Sequence, residues 1–558
     1  MTDTCLNIIT QLTVELHKDD ISKEKLGTGV LYTNRKLSGV VYVLTAKHCL
    51  SKLGEKGRVS LRIYNPDTST YEYVTPVKQS ILLHPVDDAG IIIINKRELA
   101  SVVSDLPSVY VVDKNFGTDE AVSKGFPVAT LNQTNENGES SLAMIRMTYL
   151  HEDITENVFQ LSTNDDYSED TIVGMSGSGI FIEACEELYI NGIFIRYTDE
   201  ERGKVISAQR LISFNKLLEE EYKKKMSLSF LGHHGLGHKT LKNNVEDSVA
   251  NLGPRYCQKV NVRTGTAKYF NCVAKTPAYF ERLYRNIDSW LTEKSYRTRK
   301  DSNRIGQLES HLKAIRDDFT VALSNLDQRV DAIIDLSSLM KRVESLQNEL
   351  EEVRHRFYSD YSSTKKDDNV RKELEADEAR LLEISQDLYS FTENFEDLKI
   401  NLANNPYLII KGEAGCGKSH LLGDVASKRI DDGLPTLLFL GTDFAEETYE
   451  TTITSKVGFV GTFREFLSSF NQIGTQVGSR ALLMIDALNE GPQAVLWKDR
   501  LSGLIKSLKD YPAIGLVVSV RDTYFDDVIP DGVETDSGAT VIEHKGFKGL
   551  EYEAVRQF

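Results

Sequence analysis

Three kinds of patterning follow one another along this sequence and predict a multidomain fold: an all-β part, a helical spacer and a parallel α/β part. Up to about residue 220, short β-branched and aromatic runs alternate with Gly, Asn, Asp and Pro clusters, the pattern of a barrel or a sandwich. From Pro277 to Asn401 apolar residues recur at helical spacing. From Asn405 onward apolar strands alternate with helical stretches, which builds a parallel sheet.

In the all-β part the expected strands are Gly29 to Tyr32, Gly39 to Thr45, Val59 to Tyr64, Gly90 to Ile94, Val109 to Val112, Ile180 to Ile182 and Ile190 to Arg196. A closing helix is expected over Leu211 to Lys225. Leu231 to Lys239 is Gly- and His-rich and reads as a linker. Its His233, His234 and His238 have no carboxylate or thiol partner at ligand spacing, so solvated histidines are favoured over a metal site. In the spacer, Leu312, Ile315, Phe319, Leu323, Leu326, Val330, Ile333, Leu336, Met340, Val343, Leu346, Leu350 and Val353 form an a/d-like seam. A helical hairpin turning back near Ser359 to Asp368 is favoured over an oligomerising coiled coil. The α/β strands are expected at Tyr407 to Lys411, Thr436 to Leu440, Ala481 to Ile485, Ile514 to Val520 and Thr540 to Glu543. The expected domains are therefore residues 1–225, a linker over 226–276, the helical or coiled-coil spacer over 277–404 and the α/β core over 405–558.

Composition bounds the function. A chain of 558 residues exceeds one core, and its 40% hydrophobic and 27% charged content is ordinary for globular domains. With 66 basic and 83 acidic side chains the formal charge is −17. Binding of nucleic acid or an anionic membrane needs a basic face, so neither partner is expected. The N-terminus lacks a basic region followed by a sustained apolar run, and Ile91-Ile92-Ile93-Ile94 is far too short to span a bilayer. Six cysteines, at 5, 49, 185, 257, 272 and 416, show no paired metal spacing. A cytoplasmic, reducing setting is expected.

Two constellations carry chemistry. Leu44-Thr45-Ala46-Lys47-His48-Cys49, His84-Pro85-Val86-Asp87-Asp88-Ala89-Gly90-Ile91 and Gly174-Met175-Ser176-Gly177-Ser178-Gly179 occur in that order, with separations of 40 and 88 residues between His48, Asp88 and Ser176. They resemble the histidine, aspartate and serine segments of trypsin-like proteases. Val122-Ser123-Lys124-Gly125-Phe126-Pro127 further resembles a segment of bacterial, non-secreted relatives. The resemblance covers roughly residues 20 to 220 and implies a chymotrypsin-like double barrel and serine endopeptidase activity on protein substrates. Ser176 would be the nucleophile, His48 the base and Asp88 its orienting acid, with Asp87 the neighbouring alternative. The backbone N–H groups of Gly174 and Ser176 would form the oxyanion hole, the glycines at 174 and 177 permitting the dihedrals this needs. Asp170 sits where trypsin carries its pocket acid. Met175 stands where zymogen-activated members carry an aspartate, so activation by a freed N-terminus is not expected. Secreted members tie the cysteine after the histidine to one about sixteen residues earlier; this chain has none there, which leaves Cys49 a free, buried thiol.

The second constellation is Gly412-Glu413-Ala414-Gly415-Cys416-Gly417-Lys418-Ser419, a complete phosphate-binding loop between an expected strand and helix. Its backbone N–H groups, including those of Gly415, Cys416 and Gly417, would cradle phosphates. Lys418 would reach the β- and γ-phosphates of ATP, and Ser419 would ligate Mg²⁺. Leu482 to Glu490 is an apolar strand ending in acids: Asp486 is placed to hold Mg²⁺ and Glu490 to polarise a water. Arg521, at the end of the next strand, could reach the γ-phosphate. Asp486-Ala487-Leu488-Asn489-Glu490 and Ser519-x-Arg521 resemble the acidic box and sensor segment of STAND NTPases. Asn251-Leu252-Gly253-Pro254-Arg255-Tyr256, His544-x-Gly546-Phe547 and Glu551-Tyr552-Glu553-Ala554 resemble segments of the antiviral (AVAST, or Avs) group. This resemblance covers about residues 245 to 558. It implies a sensor-effector protein of antiphage defence in which ATP-driven homo-oligomerisation switches the N-terminal effector. It also implies a lid and a C-terminal sensor for a viral trigger protein, neither present in this sequence, which therefore reads as truncated. The rival expectation is a catalytically silent protease-like adaptor that recruits a partner on assembly.

Overall fold

Strands in the first part are short apolar runs, several of them buried over most of their length. The computed structural model describes residues 1–558 apart from 20–23, 34–36, 38, 54–56, 101, 104–105, 108, 114–119, 128–140, 154–156, 164–166, 168–171, 201–202, 227, 257–265, 292–302, 364–367, 445–447, 493 and 547–558. The chain divides into two compact units, Met1–Leu241 with Asp431–Leu434, and Lys242–Ile430 with Pro435–Phe558.

The first unit opens with a helix, α1 (Asp3–Leu12), capped by the Thr2 side chain and burying Cys5, Ile9 and Leu12. Seven antiparallel strands follow: β1 (Thr13–Lys18), β2 (Lys25–Tyr32), β3 (Val40–Thr45), β4 (Val59–Asn65), β5 (Thr70–Val74), β6 (Gln79–Leu83) and β7 (Gly90–Asn95). They form one sheet in the order β5-β4-β1-β2-β3-β7-β6. A short helix, α2 (Lys47–Leu50), follows β3. The next strands are β8 (Tyr110–Val111), β9 (Ala121–Gly125), β10 (Ala143–Asp153), β11 (Val158–Thr163), β12 (Gly179–Ala184), β13 (Glu187–Glu200) and β14 (Gly203–Arg210). They run in the order β12-β9-β10-β11-β14-β13, and β12 also pairs with β13, closing a six-stranded antiparallel barrel; β8 adds to β13 in parallel. One barrel is thus closed as expected. The N-terminal sheet has no closing pairing between β5 and β6 among the described residues. The closing helix, α3 (Leu211–Glu220), buries Leu211, Phe214, Leu217 and Leu218 in the core of the first sheet.

The linker expected over 226–276 is largely structured. Leu231 and Leu236 are buried, and helices α4 (His238–Leu252) and α5 (Ala267–Ala274) lie within it. Among the described residues no group of three or more His, Cys, Asp or Glu side chains is arranged to hold a metal.

In the second unit the spacer is helical: α6 (Pro277–Leu291), α7 (Asn303–Ser324), α8 (Ser337–Ser363) and α9 (Asp368–Asp397). The α8–α9 hairpin matches expectation, but the long seam is broken between Ser324 and Ser337. Asp327 and Asp335 turn their carboxylates onto the backbone N–H groups of Arg329 and Ser337, which offers the chain an alternative to helix. Trp290 stacks on Phe391 with ring centroids 3.9 Å apart, and the buried Arg316–Asp387 pair beside them closes at 2.7 Å. The α/β part has five parallel strands, β15 (Tyr407–Gly412), β16 (Thr436–Leu440), β17 (Ala481–Asp486), β18 (Ile514–Arg521) and β19 (Thr540–Glu543), in the order β16-β17-β18-β15-β19. Every residue of β16 and β17 is buried, as expected of a sheet covered on both faces. A further helix, α10 (Lys418–Asp431), follows β15. Among the described residues no helix is long and apolar enough to cross a membrane.

Candidate functional site

Pairing of β3 with β7 brings the first constellation together. Thr45 lies opposite Gly90, so the residues just after β3 meet those just before β7. His48, in α2, donates its backbone N–H to Asp88 Oδ1 at 3.0 Å, and its ring Nδ1 lies 2.7 Å from Asp88 Oδ2. The Asp88 backbone N–H in turn donates to Gln209 Oε1 at 3.1 Å. Hydrogen bonding to Asp88 pushes the His48 pKa up to about 10. Burial opposes ionisation of Asp88, but its bonds from His48 hold the carboxyl below its usual range. Asp87, the alternative acid, accepts from Ser213 Oγ at 2.6 Å and Asn157 Nδ2 at 3.2 Å. The geometry therefore selects Asp88 as the partner of His48.

Ser176 lies in the turn before β12. Thr28 ties that turn down: its N–H donates to the Ser176 carbonyl and its hydroxyl to the Gly174 carbonyl, each at 2.9 Å. Gly174 and Gly177 adopt φ of +100° and +92°. The Gly177 N–H donates to the Phe194 carbonyl at 2.8 Å, whereas the N–H groups of Gly174 and Ser176 have no protein acceptor among the described residues. Two unpaired N–H groups flanking a serine are what an oxyanion would require. Cys49 is a buried free thiol whose Sγ lies 3.4 Å from the Ser176 carbonyl, so the residue after His48 touches the serine's own backbone. The Ser176 hydroxyl donates to the Ile195 carbonyl at 3.4 Å and, among the described residues, makes no bond to His48. Met175 is fully buried in the barrel core. Asp170 lies outside the described residues.

In the second unit, β15 leads into the loop Glu413 to Gly417 and then α10, with Gly415 and Gly417 at φ of +75° and +95°. The loop borders a cavity of about 380 Å³. Gly415, Cys416, Gly417, Lys418, Ser419, Asp486, Glu490 and Arg521 all line it, so the expected residues converge except Gly412, which is not part of its lining. Lys418 Nζ donates to the carbonyls of Gly412 at 2.7 Å and Glu413 at 2.8 Å, and Cys416 Sγ lies 3.6 Å from it. Asp486 is only 1% exposed, and burial raises its pKa. Its Oδ1 accepts from Ser519 Oγ at 2.6 Å, while its buried Oδ2 has no partner in hydrogen-bonding geometry; the Ser419 hydroxyl approaches the same carboxylate. A buried oxygen left without a partner beside a serine hydroxyl fits the oxygen preference of Mg²⁺.

Glu490 is held between two arginines. Arg255 Nη1 donates to Oε2 at 2.8 Å and Arg521 Nη2 to Oε1 at 2.7 Å. Sequence reasoning placed Arg255 in a family segment but assigned it no role. Its charge faces an acid 235 residues away, a pairing with no local signature.

No protein-family model matches the chain, and no curated protein matches it.

Proposed function

We propose that the chain is a serine endopeptidase carrying a nucleoside-triphosphate-binding module, acting as a sensor-effector of antiphage defence. The observation that carries the peptidase reading is the His48–Asp88 pair, bonded through both ring and backbone, next to a serine turn in which the Gly174 and Ser176 N–H groups have no acceptor among the described residues. In this reading His48 Nε2 takes the Ser176 proton as Oγ attacks a peptide carbonyl, and Gly174 and Ser176 N–H groups stabilise the resulting oxyanion. The hydroxyl must turn from Ile195 toward His48 before it can react. Asp88 keeps the ring in the tautomer with its proton on Nδ1.

The convergence of Lys418, Ser419, Asp486 and Arg521 on one cavity supports the nucleotide reading. Ser419 and Asp486 would hold Mg²⁺, which supplies positive charge to the phosphates. Lys418 would give up its loop carbonyls to bind phosphate oxygens. Nucleotide-driven self-assembly would then control the peptidase, through recognition of a viral protein by a further sensor.

The Ser176–Ile195 bond favours one second reading, a protease-like domain that recruits a partner without cleaving it. A fluorophosphonate probe separates the two. Labelling of Ser176 in wild type, abolished in Ser176→Ala, supports the peptidase; absence of labelling with and without ATP and Mg²⁺ refutes it.

A further inference from the structure

The cavity of the second unit holds more cationic charge than a phosphate loop supplies. Besides Lys418, it is lined by Arg521 from the end of β18 and by Arg255 from the turn after α4. The register of the sheet sets Arg521 directly beside Gly412, where the loop begins. Arg255 follows Pro254, also a wall residue, and the next ring, Tyr256, packs against His420 in the first turn of α10 with centroids 5.2 Å apart. The guanidinium is therefore positioned by packing on the helix that follows the loop.

Both arginines are spent on one carboxylate. Arg255 and Arg521 approach opposite oxygens of Glu490 at 2.8 and 2.7 Å. Two guanidiniums on one carboxylate leave a net positive pair, suited to an acceptor with more charge than Glu490 has. All three side chains are partly exposed, at 40%, 42% and 23%, and ion pairs of that exposure are weak enough to exchange. A terminal phosphate carries more negative charge and more acceptor oxygens than a carboxylate.

We propose that Arg255 is a specificity-determining residue of this cavity: with Arg521 it exchanges Glu490 for the terminal phosphate of a nucleoside triphosphate. A diphosphate, lacking that group, leaves both arginines on Glu490. Glu490 thus acts as an internal stand-in for the γ-phosphate, and the site reads phosphate number by the release of two cations. The inference rests on the nucleotide reading above.

The test is titration of the full chain with fluorescent mant-ATP and mant-ADP in Mg²⁺, for wild type, Arg255→Ala, Arg255→Lys and Glu490→Gln, with Lys418→Ala as the control for the loop. Arg255→Ala is expected to weaken ATP at least about tenfold and ADP by under about threefold, with Arg255→Lys in between. Glu490→Gln removes the competing charge and is expected to tighten ATP while leaving ADP nearly unchanged. Equal weakening of both nucleotides by Arg255→Ala, no change in either, or weaker ATP binding in Glu490→Gln overturns the exchange. Wild type that binds neither nucleotide, or binds both as well after Lys418→Ala, refutes the nucleotide reading itself, a different result from lost discrimination. Unchanged circular dichroism and thermal unfolding show that each variant is folded.

Discussion

Replacing Gly177 with alanine would put a Cβ 1.9 Å from the Thr28 carbonyl oxygen and 2.2 Å from Thr45 Oγ1. Neither neighbour can step aside. The Thr28 carbonyl already accepts from Thr45 Oγ1 at 2.7 Å, and Thr28 also holds both Gly174 and Ser176. Two costs add. An L-residue at φ +92° is strained by ~1–2 kcal/mol, and forcing the backbone apart costs a further ~1–3 kcal/mol. Gly235→Ala separates them, since Gly235 has φ +84° in the same unit but nothing within 4 Å of its added Cβ. It should lose only the first cost. Both tryptophans, Trp290 and Trp497, fall in the second unit, so their fluorescence does not report on the first. Pulse proteolysis in a urea gradient, followed by mass spectrometry of first-unit peptides, does. With a slope of about 2 kcal/mol per molar, Gly177→Ala should unfold roughly 1 M below Gly235→Ala. Coincident midpoints for the two variants would mean that Gly177 is not packed against Thr28, and the turn positioning Ser176 would need rebuilding.

Because the Asp88 bond holds a proton on His48 up to about pH 10, fluorophosphonate labelling of Ser176 should accelerate with pH well above 6.5. Asp88→Asn should slow labelling and move its rising limb down toward 6.5; an unmoved limb would refute the pairing. Asp486→Asn should cut the Mg²⁺-dependent gain in mant-ATP affinity at least about tenfold, read against EDTA; an unchanged Mg²⁺ effect counts against the carboxylate as ligand. Burial, reinforced by Arg480, pulls the Lys275 pKa from 10.5 down to about 8. The unfolded chain then binds more protons between those values, so stability climbs as pH rises from 8 to 10.5. A fall of that size corresponds to ~3 kcal/mol of destabilisation at pH 7. Loss of the Lys275 bond to the Ala332 carbonyl offsets part of the gain in Lys275→Met. That variant should therefore be more stable than wild type by ~1–2 kcal/mol at pH 7, the advantage vanishing near pH 10.5 in urea melts followed by tryptophan fluorescence.

What was legible in the sequence was whatever lies within a few residues. The loop motif Gly412 to Ser419 is contiguous, and its strand-loop-helix context follows from Tyr407 to Asp431 alone. Strands β16, β17 and β18 are buried along almost their whole length and read as largely apolar runs. Choosing between Asp87 and Asp88 needed partners 126 and 70 residues away, Ser213 and Asn157. The helical seam looked continuous because Leu326, Val330, Ile333 and Leu336 keep its spacing, yet the chain leaves the helix there. Asp327 and Asp335 compete locally for the backbone, while Asn404 and Lys275 pin Ile334 and Ala332 from a distance. Helix α1 and strands β1, β5, β6, β9, β10, β11 and β14 went unassigned, since polar or charged residues interrupt their apolar runs. Glu15, in β1, is buried between Lys25 and Arg62.

The strand order of the parallel sheet bears on how the second unit is made. Strand β15 leads into the Gly412 to Ser419 loop, yet its neighbours, β18 and β19, begin at Ile514 and Thr540. A chain growing from a ribosome therefore exposes an apolar strand for more than a hundred residues of synthesis before either flank exists, a long-range closure of the slow kind. Until then the loop lacks the part of its wall that Ser519 and Arg521 supply. Arrest of translation between Ser419 and Ile514 would leave a nascent chain that displays the full motif on a strand with neither sheet neighbour, the kind of exposed edge that chaperones bind.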